Sequence, residues 1–146
     1  MITSFSQVSF SHVSIVVPDL EAAARMLAER YGLSVGARTT NEQQGVRLAY
    51  VELAGGKIEL MEPSRPGSPV AKFLARNPKG GIHHFSLAVD DVERTASALG
   101  ERGVRLLGDG KPQTNVAGGR IAFIHPGDFL GALVELEQHG AKERGA

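Results

Sequence analysis

Apolar side chains dominate Phe10 to Val17 (FSHVSIVV) with polar residues set between them, a pattern that predicts a strand. Pro18-Asp19 ends the run, and apolar positions then recur at helical spacing from Leu20 to Tyr31. Asp19 is placed to accept from the unpaired amides of the first turn, Glu21 sits where the helix dipole favours negative charge, and Gly32 supplies a left-handed stop. Strand candidates follow at Leu33 to Thr39, Val46 to Leu53 and Lys57 to Met61, the last two joined by Ala54-Gly55-Gly56 as in a hairpin. The second half repeats this plan. Ile82 to Val89 (IHHFSLAV) reads as a strand, Asp90-Asp91 caps a helix through Arg102, Gly103 ends it, and strand candidates follow at Val104 to Leu107, Arg120 to Ile124 and Ala132 to Glu137.

Set side by side, His12-Val13-Ser14 matches His84-Phe85-Ser86, and Ile58-Glu59-Leu60 matches Val134-Glu135-Leu136. The offsets, 84 − 12 = 72 and 135 − 59 = 76, differ by one short loop change, so the chain reads as an internal repeat. The expected architecture is α+β, one domain over 1–146 made of two βαβββ modules at about 10–63 and 82–138. The connector at 64–81 carries Pro66, Pro69 and Pro78, with Ser68-Pro69 as N-cap and first residue of a short helix through Arg76 that stops at Asn77-Pro78. The polar tail at 139–146 is expected to be mobile.

Composition narrows the chemistry. At 146 residues, folding removes roughly 70% of the unfolded chain's surface from water, enough for a core without staples. The absence of cysteine excludes disulfides, thiolate metal sites and cysteine nucleophiles, so any metal must use His and carboxylate. Sixteen basic residues balance sixteen acidic ones, which gives no field to hold a nucleic acid or an acidic membrane surface. No stretch approaches the roughly 20 apolar residues that span a bilayer, and the N-terminus has neither the basic start nor the apolar run of a secretory signal, so a cytoplasmic setting is expected. Eighteen glycines, most of them between apolar runs, suit many short strands with tight turns.

A lone histidine on an apolar strand reads most simply as a core residue with one hydrogen bond, and a lone mid-strand glutamate as solvent-facing. The repeat changes that reading. Strand alternation sends His12, Ser14 and Val16 to one face, and Glu59 shares a face with Lys57 and Met61. Modules packed about a pseudo-two-fold would bring His12, Glu59, His84 and Glu135 into one cleft. Two converging carboxylates repel, and a single divalent cation offsets that repulsion. An N2O2 donor set leaves positions open on an octahedral ion, which suits cobalt, manganese, nickel, zinc or magnesium better than a closed structural site.

The other polar candidates carry plainer readings. His83 points to the face opposite His84, and the repeat pairs it with Ser11, so His84 is the preferred ligand. His125, beside Pro126, fits a turn-stabilising role better than a substrate contact, and His139 is expected to be exposed in the tail. Ser14 and Ser86 are symmetry mates that could orient a carboxylate or merely pack. Lys72, Arg76, Lys79, Arg47, Lys111 and Arg120 could meet phosphates, but surface solvation explains each of them and none is assigned.

Four stretches, EQQGVRLAYVEL (Glu42 to Leu53), KIELMEP (Lys57 to Pro63), SPVAKFLARNPKGGIHH (Ser68 to His84) and GGRIAFIHPGDFLGALVELEQ (Gly118 to Gln138), carry a resemblance. The chain resembles the methylmalonyl-CoA epimerase family, within the vicinal-oxygen-chelate superfamily that also holds glyoxalase I and bleomycin-resistance proteins, from Phe10 to Gln138. That resemblance implies a glyoxalase-like, half-open barrel around a metal cleft. It also implies ligation of one divalent ion, cobalt first, by His12, His84 and Glu135, with Glu59 at the fourth position. One departure stands out: some members have a glutamate base where this chain has Leu48 and a glutamine where it has Glu59.

The implied reaction is a 1,1-proton transfer at C2 of an acyl-CoA, methylmalonyl-CoA, through a metal-stabilised enolate, and Glu59 and Glu135 are the expected catalytic carboxylates. Alternatives are a glyoxalase I-like lactoylglutathione lyase and a non-catalytic small-molecule binding or resistance protein on the same fold. An Fe(II) dioxygenase is disfavoured, because Glu59 would add a fourth protein ligand to a site that needs three. A homodimer is expected, since modules of this kind commonly pair between chains.

Overall fold

The computed structural model describes residues 8–115 and 118–139. They form two compact units, one spanning His12–His83 and the other built from the described parts of Met1–Ser11 and His84–Ala146.

The His12–His83 unit holds most of β1 (Ser9–Val16), then α1 (Leu20–Tyr31), β2 (Thr39–Asn41), β3 (Val46–Leu53), β4 (Gly56–Pro63) and α2 (Pro69–Arg76). Its strands lie in the order β2-β3-β4-β1, with β4 antiparallel to β3 and parallel to β1. Alternation along β1 buries His12, Ser14 and Val16. Asp19 accepts from the Ala22 amide at 3.0 Å and starts α1. Gly32 ends it at φ 67, with the Leu33 amide reaching back to the Leu27 carbonyl at 3.1 Å. Leu20, Ala49, Val51 and Leu60 form one core under α1, and Val16, Val46, Met61 and Val70 form another under α2. Each fully buried Leu or Val side chain there contributes about 1.5–3 kcal/mol.

The other unit holds most of β5 (Gly81–Val89), then α3 (Val92–Glu101), β6 (Gln113–Thr114), β7 (Arg120–Ile124), a 3-10 turn at Pro126–Asp128, and β8 (Val134–Gln138). Its strand order is β5-β8-β7-β6, with β8 parallel to β5 and antiparallel to β7. Each unit is therefore a βαβββ arrangement in which the first strand pairs with the last. Val89, Val92, Leu99, Ala122, Ile124, Val134 and Leu136 make its core.

The two helices are tied to their sheets in the same way. The first amide of α1, at Leu20, donates to Glu62 Oε1 at 2.6 Å, and the first amide of α3, at Val92, donates to Gln138 Oε1 at 3.1 Å. Both acceptors sit at the end of the last strand of their module, so strand and helix satisfy each other's polar ends.

Three strand boundaries differ from expectation. Residues 33–38 are not a strand; Ser34 and Gly36 interrupt the apolar run, one amide bond joins Gly36 to Tyr50 at 2.9 Å, and regular pairing starts only at Thr39. Val104 to Leu107 reduces to a single bridge from Leu106 to Ile124, because Gly103 at φ 84 and Gly108 at φ 74 bound a segment too short to extend. Gly131 at φ 86 delays β8 to Val134. No described helix is long and apolar enough to cross a membrane.

Gly80 and Gly103 have nearly the same positive φ, 83 and 84, but a Cβ at Gly80 would lie 2.2 Å from the Val16 carbonyl oxygen while one at Gly103 would meet nothing within 4 Å. Gly103→Ala should cost only the left-handed backbone penalty, about 1 kcal/mol, and Gly80→Ala at least about 2 kcal/mol more through the backbone clash. Denaturant unfolding of the two variants checks this, and equal losses would refute the close approach.

Candidate functional site

In the first module the parallel register sets Ser14 beside Glu59, and His12 lies two residues earlier on the same face of β1. His12 and Glu59 are 6% and 8% exposed, so the pair is essentially withdrawn from solvent. His12 Nε2 stands 3.8 Å from Glu59 Oε1. Ser14 Oγ donates to the same Oε1 at 2.5 Å, and the Tyr50 hydroxyl donates to Oε2 at 2.9 Å from the opposing position on β3. The Tyr50 ring meets the His12 ring edge-on with centroids 6.3 Å apart, and the Lys57 ammonium lies 5.1 Å from the Tyr50 ring centroid.

The second module repeats the backbone and part of the chemistry. Ser86 is the register partner of Glu135, and His84 lies two residues earlier on the same face. His84 Nε2 stands 3.8 Å from Glu135 Oε1, the same separation as in the first module. Phe123 faces Glu135 where Tyr50 faces Glu59, and its ring meets His84 edge-on at 5.5 Å. Ser86 Oγ donates to Glu137 Oε1 at 3.1 Å, two residues beyond the symmetry-related carboxylate.

A separation of 3.8 Å is too long for a hydrogen bond, whose N–H···O distance is about 2.7–3.2 Å. Two ligands bound to one cation at about 2.0–2.2 Å stand roughly 3–4 Å apart, which each pair satisfies. Neutral imidazole nitrogen and carboxylate oxygen are donors that suit a divalent first-row ion, so the residues present fit such an ion.

The remaining sequence candidates separate clearly. His83 packs its ring against Phe73 at 5.3 Å, on the face away from His84. His125 Nδ1 accepts from the Gly127 amide at 2.9 Å and holds the turn before β8. His139 is not the exposed tail residue expected: its amide donates to the Val89 carbonyl at 2.9 Å, its ring is 3.9 Å from Asp90, and its side chain is 20% exposed. The rest of the expected tail, 140–146, lies outside the described residues. Lys72, Arg76, Lys79 and Lys111 are exposed, whereas Arg120 is engaged by Glu93 and Thr114, and Arg47 by Glu21 and Glu62.

Tyr50 and Glu137 escaped the sequence reading. Tyr50 was accessible: a tight hairpin at Ala54-Gly55-Gly56 pairs Leu53 with Gly56, and the same register pairs Tyr50 with Glu59. Glu137 shares the strand face of Glu135 by simple alternation.

The glyoxalase/bleomycin resistance protein/dioxygenase superfamily profile matches residues 11–123. The chain is 46% identical over 128 residues to ethylmalonyl-CoA/methylmalonyl-CoA epimerase of Cereibacter sphaeroides, covering 88% of this chain and 96% of that protein. Among solved structures it is similar to methylmalonyl-CoA epimerase from Mycobacterium tuberculosis, with a TM-score of 0.82, 33% identity, and 100% of this chain and 97% of that one covered. A methylmalonyl-CoA epimerase in complex with methylmalonyl-CoA and NH4+ is also similar, with a TM-score of 0.80, 36% identity, and 92% and 96% coverage.

The ion pairs that occupy Arg47 have a measurable consequence. Hydrogen bonds from Arg38 and then Arg47 lower the Glu21 carboxyl from 4.5 to about 2. A depressed carboxyl stabilises the fold above its unfolded value and loses that contribution as pH falls through its folded value. Thermal melts from above pH 4.5 down to about 2 should therefore show a shallower acid loss in Glu21→Gln, which starts from a lower melting temperature, than in the native chain. Parallel curves would contradict the assignment.

Proposed function

Because the chain belongs to the glyoxalase/bleomycin resistance protein/dioxygenase superfamily, and within it to the methylmalonyl-CoA epimerases, we propose that this isomerase inverts C2 of methylmalonyl-CoA by metal-dependent 1,1-proton transfer. The observation that carries the reading is the duplicated pair, a buried imidazole nitrogen 3.8 Å from a carboxylate oxygen in each module. His12, Glu59, His84 and Glu135 would together hold one divalent ion, cobalt first, with manganese, nickel, zinc or magnesium as substitutes. Such an ion supplies Lewis acidity where negative charge develops on the thioester oxygen.

The chain's own groups then divide the proton work. Inversion needs one base on each face of the planar enolate, one to remove the C2 proton and one to return it. Glu59 and Glu135 occupy equivalent places in the two modules, which supports giving one of them to each face. Leu48 cannot serve as a base, because its hydrocarbon side chain has no lone pair to accept a proton, and it packs against the Val16, Val46, Met61 and Val70 core. Glu59, which holds the place in the first module that Glu135 holds in the second, is the group we assign as the second base. Holding His12 and Glu59 out of water strengthens their electrostatic action on a bound substrate.

Metal stoichiometry tests the shared site. The native chain should bind one divalent ion, and His12→Ala and His84→Ala should each abolish stoichiometric binding; a variant that keeps one full equivalent would mean that each pair acts alone. The activity is tested by following exchange of the C2 proton of methylmalonyl-CoA into deuterated water, with and without Co(II), against a hemithioacetal control. Exchange should require the ion and exceed turnover of the control. Glu59→Gln should retain the ion while epimerisation falls by about 100-fold or more, and full activity in that variant would remove Glu59 as a base.

A further inference from the structure

We propose that Tyr50 is a positioning residue that, with Ser14, turns the Glu59 carboxylate so that Oε1 is delivered beside His12 and Oε2 is held away from it. The inference deepens the reading above and rests on Glu59 acting as a ligand.

A glutamate carboxylate rotates broadly about its last torsion, and fixing such a side chain costs up to about 2 kcal/mol of conformational freedom. Here two hydroxyls divide the two oxygens between them. Ser14 donates to Oε1 at 2.5 Å, and Tyr50 donates to Oε2 at 2.9 Å. Oε1 is also the oxygen that faces His12 Nε2 at 3.8 Å. Each oxygen keeps a lone pair beyond its one hydroxyl donor, and Oε1, the oxygen beside His12, would be the one presented to an ion, so the two hydroxyls would set the direction of ligation. The donors are neutral, so they orient the carboxylate without cancelling the charge that a cation requires.

Tyr50 is itself fixed on several sides. The β3–β4 register places it across from Glu59, its ring edge meets His12, and the Lys57 ammonium sits 5.1 Å from its ring centroid. One aromatic side chain thus contacts both members of the first pair. The second module keeps the ring and lacks the hydroxyl, because Phe123 occupies the equivalent register opposite Glu135 and stacks edge-on against His84. Phenylalanine therefore fits such a position sterically, and the Tyr50 oxygen is the added element.

Tyr50→Phe retains the ring and removes only the donor. In the full chain, Co(II) is titrated while its visible absorption is followed, and the melting temperature of the metal-free protein is recorded. Co(II) affinity is expected to fall about 10–100-fold with a shifted absorption spectrum, the melting temperature changing little. Ser14→Ala is expected to change affinity and spectrum in the same direction. Native affinity and an unshifted spectrum in Tyr50→Phe would overturn the inference and leave the tyrosine as packing. A native chain that takes up no Co(II) would overturn the metal reading itself, and this inference with it.

Discussion

Parallel pairing between the first and last strands of each module is the constraint on which the candidate site depends. In β1 and β4 it sets Ser14 beside Glu59, and in β5 and β8 it sets Ser86 beside Glu135, with a histidine two residues upstream on the same face each time. Side chains alternate along a strand, so a slip of one residue would turn the imidazole and the carboxylate to opposite faces. Hydrophobic burial forbids that slip. Val16 and Met61 are locked into one core and Val89, Val134 and Leu136 into another, and a shifted register would carry them out toward water.

Much of this was legible in the chain because its signals are local. The bounds of α1 follow from Asp19 and Gly32, those of α2 from Ser68-Pro69 and Asn77, and β3 from an apolar run closed by glycine. The pairing of His12 with Glu59 and of His84 with Glu135 was visible through the repeat, since two copies of an ambiguous pattern support each other where one would not. What was obscure depends on distant partners. Residues 33–38 have strand-like composition, yet the neighbouring strand makes regular bonds only from Thr39 onward, and β6 exists because Gln113 and Thr114 meet Arg120 and Ile121. Nor does composition tell that Ser86 reaches Glu137, a choice made by side-chain rotamers.

The two modules share a backbone plan more faithfully than they share chemistry. Both set an aromatic ring edge against the histidine, but only the first adds a phenol; both place a serine beside the ligand-type carboxylate, but the hydroxyls find different acceptors. Register is protected by whole cores, whereas one side-chain oxygen can be gained or lost with little disturbance to packing. Divergence between duplicated halves is therefore easiest at the hydroxyls.

Three residues beyond each ligand-type glutamate, at Glu62 and Gln138, the same strand accepts the leading amide of its module's helix. Strand and helix are consequently coupled: releasing the helix start strips a partner from the strand that presents the carboxylate. Amide hydrogen exchange at Leu20 should thus report on openings that also loosen Glu59, and exchange at Val92 on those that loosen Glu135. How firmly each carboxylate is held depends in part on how long its module's helix start stays docked.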